Sequence, residues 1–457
     1  MLNIHIGYLT AILIIFSILS LWFTSKTKTL EGFFGGQSSK GIQPNILTLT
    51  FSQVTTWIFA RSLLNTVTLG YLFGIAGVIA YSAYYGSFLT GWLIVNKLRQ
   101  QHGVPNIQTF IYEQFGRTGT VCYNLLISLR LLTEVFANLL VIGIIFGTVG
   151  SPSYISSIII VTAVTLFYSM NGGLRASLKT DIFQTIIIIV SISTLFIAMM
   201  IHPTFNFHSI LNSSSDFNNP GWILLIVAFL QVLSYPMHDP VMMDRGFIAD
   251  IKTTKKSFLY AFILSFILIF CFGLLGVFAK TVSNENISVL AALQELLGTP
   301  MMFIVAITLI VSAASTMDST FSSASKLIVI DILKNKTSIS KGRLAMLFFA
   351  IAGLILVLFG NNDLYDAVAI SGTISLTLTP VIIFNLLGQR RVASWSFIVN
   401  FIVSVAGAIL YFLEKSGHVK IIGMIFGEVH NYNKLLIITL FIIISGLVFF
   451  ILGLKRK

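Results

Sequence analysis

The sequence predicts an all-α polytopic membrane protein with thirteen transmembrane helices. Hydrophobic residues make up 56% of the 457 residues and charged residues only 10%, and the mean hydropathy is +0.92. Such a composition is typical of integral membrane proteins. The apolar residues fall into thirteen stretches, each long enough to cross about 30 Å of hydrocarbon as a helix. The connections are short, so a single membrane domain is predicted.

The predicted spans run from near the first residue to near the last. Their approximate centres are Ile14, Trp57, Tyr84, Leu132, Ile160, Val190, Phe229, Ile267, Ser315, Ala352, Ser375, Val403 and Ile443. The first span lacks preceding Lys or Arg and a small-residue cleavage site, so it is interpreted as retained rather than as a signal peptide. Cys122 and Cys271 lie within spans and imply no disulfide framework.

The net charge of +12 is interpreted as a signal of membrane orientation and not of a nucleic-acid partner. If the spans alternate, most of the 28 Lys and Arg residues fall on one side of the membrane. The opposite side holds only Lys280, Lys415, Lys420 and Lys434. Because cytoplasmic loops are rich in Lys and Arg, the N-terminus is predicted outside and the C-terminus in the cytoplasm.

The second span is unusually polar for a segment that crosses lipid. It reads FSQVTTWIFARSLLNTVTLGYLFG from Phe51 to Gly74. Its polar residues include Gln53, Thr55, Thr56, Arg61, Ser62 and Asn65. A continuous helix does not need these groups, whereas a helix broken near its middle can use freed carbonyls and amides to line an ion or solute site. A broken second span is therefore predicted.

The seventh span shows a similar interruption. Residues 231–245 read QVLSYPMHDPVMMDR, with Pro236 and Pro240 around His238 and Asp239. Two interrupted helices five spans apart are what an inverted five-plus-five repeat produces. The sequence therefore predicts such a repeat with broken second and seventh spans, from pattern alone and without residue identity between the halves.

The ninth span carries a hydroxyl-rich face. Residues 312–332 read SAASTMDSTFSSASKLIVIDI, with eight Ser and Thr residues between Ser312 and Ser325 and a carboxylate at Asp318. One helix face is polar, because hydroxyls recur with helical spacing at Ser312, Ser315, Thr316 and Ser319. Hydroxyls alone could instead line a helix–helix contact. Asp318 favours an ion site, since an intramembrane carboxylate is costly without a function.

Three basic residues fall within spans. Lys326 lies near the cytoplasmic end of its span and can extend its amine to the interface. Arg130 can form a local ion pair with Glu134, one helical turn further, or bind a solute carboxylate in bidentate geometry. Arg61 has no oppositely charged residue within a helical turn in the sequence.

Four stretches, in this order, resemble motifs of the sodium/solute symporter family, which includes proline, pantothenate, sialic acid and sugar symporters. They are LEGFFGGQSSKG at 30–41, YSMNGGLRASLKTDIFQ at 168–184, the segment that ends at Arg245, and STMDSTFSSASKLIVIDI at 315–332. The resemblance covers nearly the whole chain. It implies a leucine-transporter-type fold with its inverted-repeat core in 45–390, an extra N-terminal span in 1–25 and two C-terminal spans in 391–457.

The resemblance also implies a sodium site. Two side-chain oxygens would come from Ser315 and Thr316, and three backbone carbonyls from Phe51, Val54 and Ser312. A set of five oxygens without a formal charge would bind sodium weakly, which suits an ion that must be released into the cytoplasm.

Some members of the family bind a second sodium, and its matching residues here are Asp181, Ser315, Asp318 and Ser319. Asp318 replaces a hydroxyl found in some relatives, so a second ion is left open. Asp181 could equally be a gate or a structural carboxylate.

The residues of the implied solute pocket restrict the solute only in part. Gln53 stands where the proline symporters of the family carry an Asp, which disfavours proline. Arg130 falls where sialic acid symporters place a carboxylate-binding Arg, which favours an organic anion or zwitterion. The expected pocket residues are Gln53, Thr56, Arg61, Arg130, Gln231, Met237 and His238.

These features together predict a sodium-coupled secondary active symporter that imports a small organic solute by alternating access, carboxylate-bearing if Arg130 binds it. Sodium and the solute are the expected partners, with no further cofactor and no nucleic acid. A multi-pass protein of the plasma membrane is expected, and the abundance of Ile, Lys, Asn and Phe is typical of AT-rich bacterial genomes.

Two other functions remain open. One is a proton-coupled transporter of the same fold, in which Asp181, His238 or Asp239 would titrate. The other is a membrane sensor, although the chain ends at Lys457 directly after the last span, so no fused output domain is expected. A channel is disfavoured because no filter repeat or charge ring is seen, and an enzyme because neither a His-rich metal set nor a G-x-S-x-G motif occurs.

Overall fold

The computed structural model describes residues 6–24, 26–282, 287–334, 337–359 and 371–455, and this part of the chain is almost entirely helical. Nine of its helices are long and apolar enough to cross a membrane, and a tenth and an eleventh apolar helix are shorter. The all-α polytopic class is confirmed, while the count of thirteen spans stays a prediction. Lys336, Arg456, Lys457 and the start of the eleventh predicted span lie outside the described residues.

Seventeen helices are labelled here in chain order. They are α1 (Ile6–Phe23), α2 (Leu30–Gly35), α3 (Ile46–Trp57), α4 (Ala60–Ala83), α5 (Ser87–Asn96), α6 (Ile107–Phe146), α7 (Pro152–Met200), α8 (Phe207–Leu211), α9 (Pro220–Val232), α10 (Pro240–Arg245), α11 (Ile251–Val282), α12 (Val289–Lys326), α13 (Ile339–Phe359), α14 (Ser371–Leu387), α15 (Ser394–Lys415), α16 (Ile421–Phe426) and α17 (Asn431–Leu452).

Some of the longest helices each contain two spans' worth of chain. α7 has 49 residues and would be about 74 Å long if straight, more than twice the hydrocarbon thickness. It turns at Gly173, whose φ of 57° is readily adopted only by glycine. α4 is kinked in the same way at Gly74. The kink in α7 explains how one long helix can hold two of the predicted spans, those centred on Ile160 and Val190.

The second predicted span is broken, as the sequence predicts. α3 ends at Trp57 and α4 begins at Ala60, so Ile58 and Phe59 are not helical. Backbone groups freed by the break find partners elsewhere: Ser312 Oγ donates to Ile58 O, and Asn138 Oδ1 accepts from Ala60 N at 3.1 Å. These bonds remove the cost of unpaired backbone groups inside the membrane.

The seventh predicted span is interrupted as well. α9 ends at Val232, a short 3₁₀ helix covers Tyr235–His238, and α10 begins at Pro240. Asp239 caps α10 because its Oδ1 accepts from Met242 N at 3.0 Å. The interruption therefore places two prolines, a histidine and a capping carboxylate in the interior of the bundle.

Two helix pairs make the most extensive contacts in the described chain. α12 packs along α7, and α11 packs along α4. The α4–α11 contact is unusually close, because a Cβ added to Gly276 would collide with Val67 O, and one added to Gly70 with Gly273 O. Small residues allow this backbone-to-backbone approach, as is common between helices in membranes.

Candidate functional site

The hydroxyl face of α12 lies against the break between α3 and α4. Thr316 Oγ1 lies 3.2 Å from Thr55 O and 3.0 Å from Ser312 O, so its one proton has an acceptor on each side of this contact. Ser312 Oγ reaches Ile58 O across the same contact. The structure thus brings Ser312 and Thr316 against the second span, as the predicted sodium site requires.

Both carbonyls expected from α3 already accept hydrogen bonds. Phe51 O accepts from Thr55 Oγ1 and Thr185 Oγ1, each at 3.1 Å, and Val54 O accepts from Ile58 N at 2.8 Å. A carbonyl oxygen has two lone pairs, so Val54 O keeps one for an ion. The Thr55 and Thr185 hydroxyls carry one proton each, and each has a closer acceptor on Asp181: Oδ1 at 3.0 Å and the backbone oxygen at 2.7 Å. Phe51 O can therefore also turn a lone pair toward an ion.

Asp181 on α7 is the centre of the polar network beside these ligands. Its Oδ1 accepts from Ser315 Oγ at 2.9 Å and Thr55 Oγ1 at 3.0 Å, and its Oδ2 accepts from Ser52 Oγ at 2.5 Å. The carboxylate is fully buried and joins α3, α7 and α12. The Asp181 carboxylate thus places a negative charge next to the five predicted sodium ligands, which carry no formal charge themselves.

Asp318 belongs to a neighbouring part of the network. Hydroxyls of α7 supply three of its donors: Ser177 to Oδ1 at 2.7 Å, and Tyr168 and Thr180 to Oδ2 at 2.9 and 3.0 Å. Ser319 Oγ lies 3.3 Å from Asp318 Oδ1. The four residues of the implied second sodium site, Asp181, Ser315, Asp318 and Ser319, therefore share one buried cluster.

Arg245, at the end of α10, places a guanidinium in this cluster. Its Nε donates to Ser52 Oγ at 2.6 Å and its Nη2 to Ser319 Oγ at 2.8 Å. Nη2 also lies 3.7 Å from Asp181 Oδ2. The sequence places Arg245 in a family-like motif and among the basic residues of the predicted cytoplasmic side. Its complete burial could not be predicted, because none of its three side-chain partners on other helices is near it in the chain.

Lys326 ends in an ion pair, and its placement at the membrane interface stays a prediction. Its amine contacts Asp244 Oδ1 at 2.5 Å and lies 3.9 Å from Asp331 Oδ2, and its side chain is only 17% exposed. Asn106 Nδ2 donates to Asp331 Oδ1 at 3.1 Å. We call Asp244, Lys326, Asp331 and Asn106 the inner latch, since they join α10, α12 and α6 on the predicted cytoplasmic side.

Arg130 on α6 is engaged by two carboxylates. Nη2 contacts Asp239 Oδ2 at 2.9 Å and Glu134 Oε1 at 3.2 Å, and Nε donates to Asp239 at 3.3 Å. The predicted local pair with Glu134 is present, and Asp239 of the seventh span is an additional partner. All three side chains are buried. A role for Arg130 in binding a solute carboxylate stays a prediction.

A cavity of about 290 Å³ opens beside the two breaks. Among its lining residues are Trp57, Phe59, Arg61, Tyr84, Arg130, Gln231, Tyr235, Tyr411, Lys415 and Tyr432. Of the predicted pocket residues, Arg61, Arg130 and Gln231 line it, and Gln231 Oε1 accepts from Tyr84 Oη at 2.9 Å.

The other four predicted pocket residues, Gln53, Thr56, Met237 and His238, are buried outside the cavity lining. Within the described chain neither amide atom of Gln53 has a hydrogen-bond partner, and His238 uses only Nδ1, 2.6 Å from Tyr235 O. The structure therefore divides the predicted pocket into a set of three at the cavity wall and a buried set of four.

Relatives among characterised proteins match only part of the chain. The urea active transporter of Saccharomyces cerevisiae is 26% identical over 147 residues, 30% of this chain and 19% of that protein. Sodium/glucose cotransporter 4 of Danio rerio is 27% identical over 154 residues, 30% of this chain and 23% of that protein. The chain thus spans less than a quarter of these two curated relatives. No protein-family model matches the chain.

Solved structures match nearly the whole length of the chain. A Na⁺-coupled sialic acid symporter in a substrate-bound outward-open state superposes with a TM-score of 0.74, covering 99% of this chain and 98% of that one at 14% identity. A nucleobase-cation-symport-1 family transporter gives a TM-score of 0.62 at 14% identity, with 92% and 93% covered.

At this level of identity the structural likeness shows the fold, which is the predicted leucine-transporter type with broken second and seventh spans. The partial sequence matches to a urea transporter and a sodium/glucose cotransporter point in the same direction as the motifs in 30–41, 168–184 and 315–332. Together they confirm the resemblance of this chain to the sodium/solute symporter family.

Proposed function

We propose that this protein is a sodium-coupled symporter that imports a small organic solute by alternating access. The observation that carries the proposal is the contact of the α12 hydroxyl face with the break between α3 and α4, next to the buried carboxylate of Asp181. Hard cations prefer oxygen ligands, and intramembrane carboxylates usually mark ion pathways. The names of the relatives, all transporters, support a transporter and not an enzyme.

The proposed sodium ligands are Phe51, Val54, Ser312, Ser315 and Thr316. Sodium at this place would bridge the second and ninth spans, and the hydrogen bonds between these spans support that geometry. Sodium is the coupling ion of two of the similar proteins, the sodium/glucose cotransporter and the sialic acid symporter. No other cofactor enters the proposal.

A second sodium at Asp181, Ser315, Asp318 and Ser319 would have to share its site with Arg245. The guanidinium already donates to Ser319 and lies 3.7 Å from Asp181, so one positive charge is present beside these oxygens. Arg245 already uses the Ser319 hydroxyl as an acceptor and balances one of the two carboxylates, Asp181 and Asp318, so we propose one sodium per cycle.

The solute would occupy the cavity at the breaks, reached from the predicted external face. The inner latch and Arg245 join the second, fourth, seventh and ninth spans on the opposite side, which corresponds to a closed inner gate. Import would require these contacts to open. An inward movement of one charge across about 100 mV supplies about 2.3 kcal/mol, enough for roughly fiftyfold accumulation of solute.

The test of this proposal is the melting temperature of the purified protein in sodium chloride and in choline chloride, each at several pH values. Sodium should raise the melting temperature at every pH, because a ligand that binds only the folded state stabilises it. A response to pH without any response to sodium would contradict sodium coupling and favour the proton-coupled alternative through Asp181, His238 or Asp239.

Breaking the inner latch should shift the protein toward an inward-open state. A Lys326→Met variant loses a partly buried ion pair, and a loss of about 1 kcal/mol changes such an equilibrium about fivefold. A cysteine at the buried Ser323, in a background without Cys122 and Cys271, should then react about fivefold faster with an impermeant maleimide from the cytoplasmic side. Exposed Lys252→Met is the matched control, and equal labelling in the two variants would rule out a gating role for Lys326.

A further inference from the structure

The cavity is aromatic at the depth of the two helix breaks. Trp57 and Phe59 come from the second span, Tyr84 and Tyr85 from the turn after α4, and Tyr235 from the 3₁₀ helix of the seventh span. Tyrosines at a membrane surface are expected as part of an aromatic belt, which covers Tyr411 and Tyr432 near the outer helix ends. A belt does not account for the five rings at the breaks.

Tyr235 is the centre of this aromatic wall. Its ring lies edge-on to Trp57 with centroids 5.5 Å apart, and edge-on to Tyr84 at 6.0 Å. Trp57 meets Tyr85 edge-on at 5.8 Å. Edge-to-face packing fixes the ring planes relative to one another, and stacking or edge contacts with a further ring are then available at little entropic cost.

Polar groups at the same wall are donors. The indole N–H of Trp57 has no hydrogen-bond partner in the described chain, although the residue is only 5% exposed. The Arg130 guanidinium lies 5.9 Å from the ring centroids of both Phe59 and Tyr235. Its Nε and Nη2 bind carboxylates, whereas no described residue accepts from Nη1. The Trp57 N–H is a buried donor without an acceptor, which is costly, and a bound oxygen acceptor would remove that cost.

We propose that the cavity binds a flat, ring-bearing solute with an oxygen acceptor, its ring against Tyr235 and Trp57 and its oxygen bonded to the Trp57 indole and Arg130. This inference rests on the proposed transport function and adds the class of solute. The oxygen can belong to a carboxylate or to an uncharged carbonyl. At about 290 Å³ the cavity is at the lower end for small-molecule sites, which suits a single ring with a short substituent.

The experiment compares flat rings with puckered rings of equal polarity. Melting temperatures of the full-length purified protein are measured in sodium with benzoate, benzamide, cyclohexanecarboxylate, cyclohexanecarboxamide, urea and glucose. Benzoate or benzamide should stabilise the protein at concentrations about tenfold lower than its cyclohexane counterpart. The difference between benzoate and benzamide then shows whether the acceptor is charged.

Variants locate the binding. Tyr235→Leu should weaken the ring compound about tenfold, while Tyr235→Phe keeps the ring and most of the affinity. Trp57→Phe keeps a ring but removes the N–H, and should cost about fivefold. Phe348→Leu is the control, since Phe348 is 65% exposed on the outside of the bundle.

Three outcomes would overturn the inference while leaving sodium coupling intact. Flat and puckered rings could bind equally well, urea or glucose alone could bind, or the protein could respond to sodium and to none of the ring compounds. Loss of ring binding in Phe348→Leu to the same extent as in Tyr235→Leu would also overturn it. Failure of the proposed function is separate: sodium would then have no effect on the melting temperature, whatever the ring compounds do.

Discussion

Replacing Arg130 by methionine is expected to lower the free energy of unfolding by about 3–5 kcal/mol. The substitution keeps an unbranched apolar stem but leaves two carboxylates, Glu134 and Asp239, buried without their counter-charge. Removing one partner from a buried ion pair is destabilising by about this amount, since the remaining charge has no water to solvate it. Denaturant or thermal unfolding in detergent measures the change.

Arg117→Met is the matched control, because Arg117 lies on the same helix and is exposed. Its effect should stay within about 0.5 kcal/mol. A triple variant with Arg130→Met, Glu134→Gln and Asp239→Asn should recover much of the loss, since no uncompensated charge remains. If Arg130→Met and Arg117→Met unfold alike, the three residues do not form a buried charge cluster.

The double variant Ser315→Ala/Thr316→Ala should lose the sodium-specific stabilisation. Sodium at about a hundredfold its dissociation constant stabilises a folded protein by about 2.7 kcal/mol. The variant removes the two proposed side-chain ligands and leaves only backbone carbonyls, which would bind sodium too weakly to stabilise the fold. The melting temperature in sodium minus that in choline is the quantity to compare.

The melting temperatures in sodium and in choline must be compared for each protein, because Ser315 also donates to Asp181. The double variant will therefore be less stable even in choline. Ser322→Ala is the control on the same helix, since its hydroxyl donates only to the backbone oxygen of Asp318. A full sodium response in the double variant would place the ion elsewhere.

The sequence predicts those features that depend on local pattern. Polar residues and prolines inside apolar stretches predict both helix breaks, because only a broken helix uses such groups within a membrane. The helical spacing of hydroxyls predicts the polar face of α12. The local pair of Arg130 and Glu134 also follows from their i, i+4 spacing.

Contacts between distant spans could not be predicted. Asp239 is 109 residues from Arg130, and Ser52 is 193 residues from Arg245. Lys326 looks like an interfacial lysine in the sequence, because its partner Asp244 lies 82 residues earlier. The aromatic wall was missed for the same reason, since its rings come from separate helices. The positions of Asp239 and Arg245 beside prolines and a family motif were the available signals.

The close approach of α4 and α11 limits how the protein can change shape. The two backbones are in contact at Gly70, Gly273 and Gly276 and cannot slide past each other without collision. The two helices should therefore move together as one rigid body. A movement of this pair relative to α3 would then take place at the break before α4, Ile58 and Phe59, and would have to break the bonds that hold Ile58 O and Ala60 N. The proposed transport cycle would then involve rotation of the α4–α11 pair as a unit and no sliding of one helix along the other.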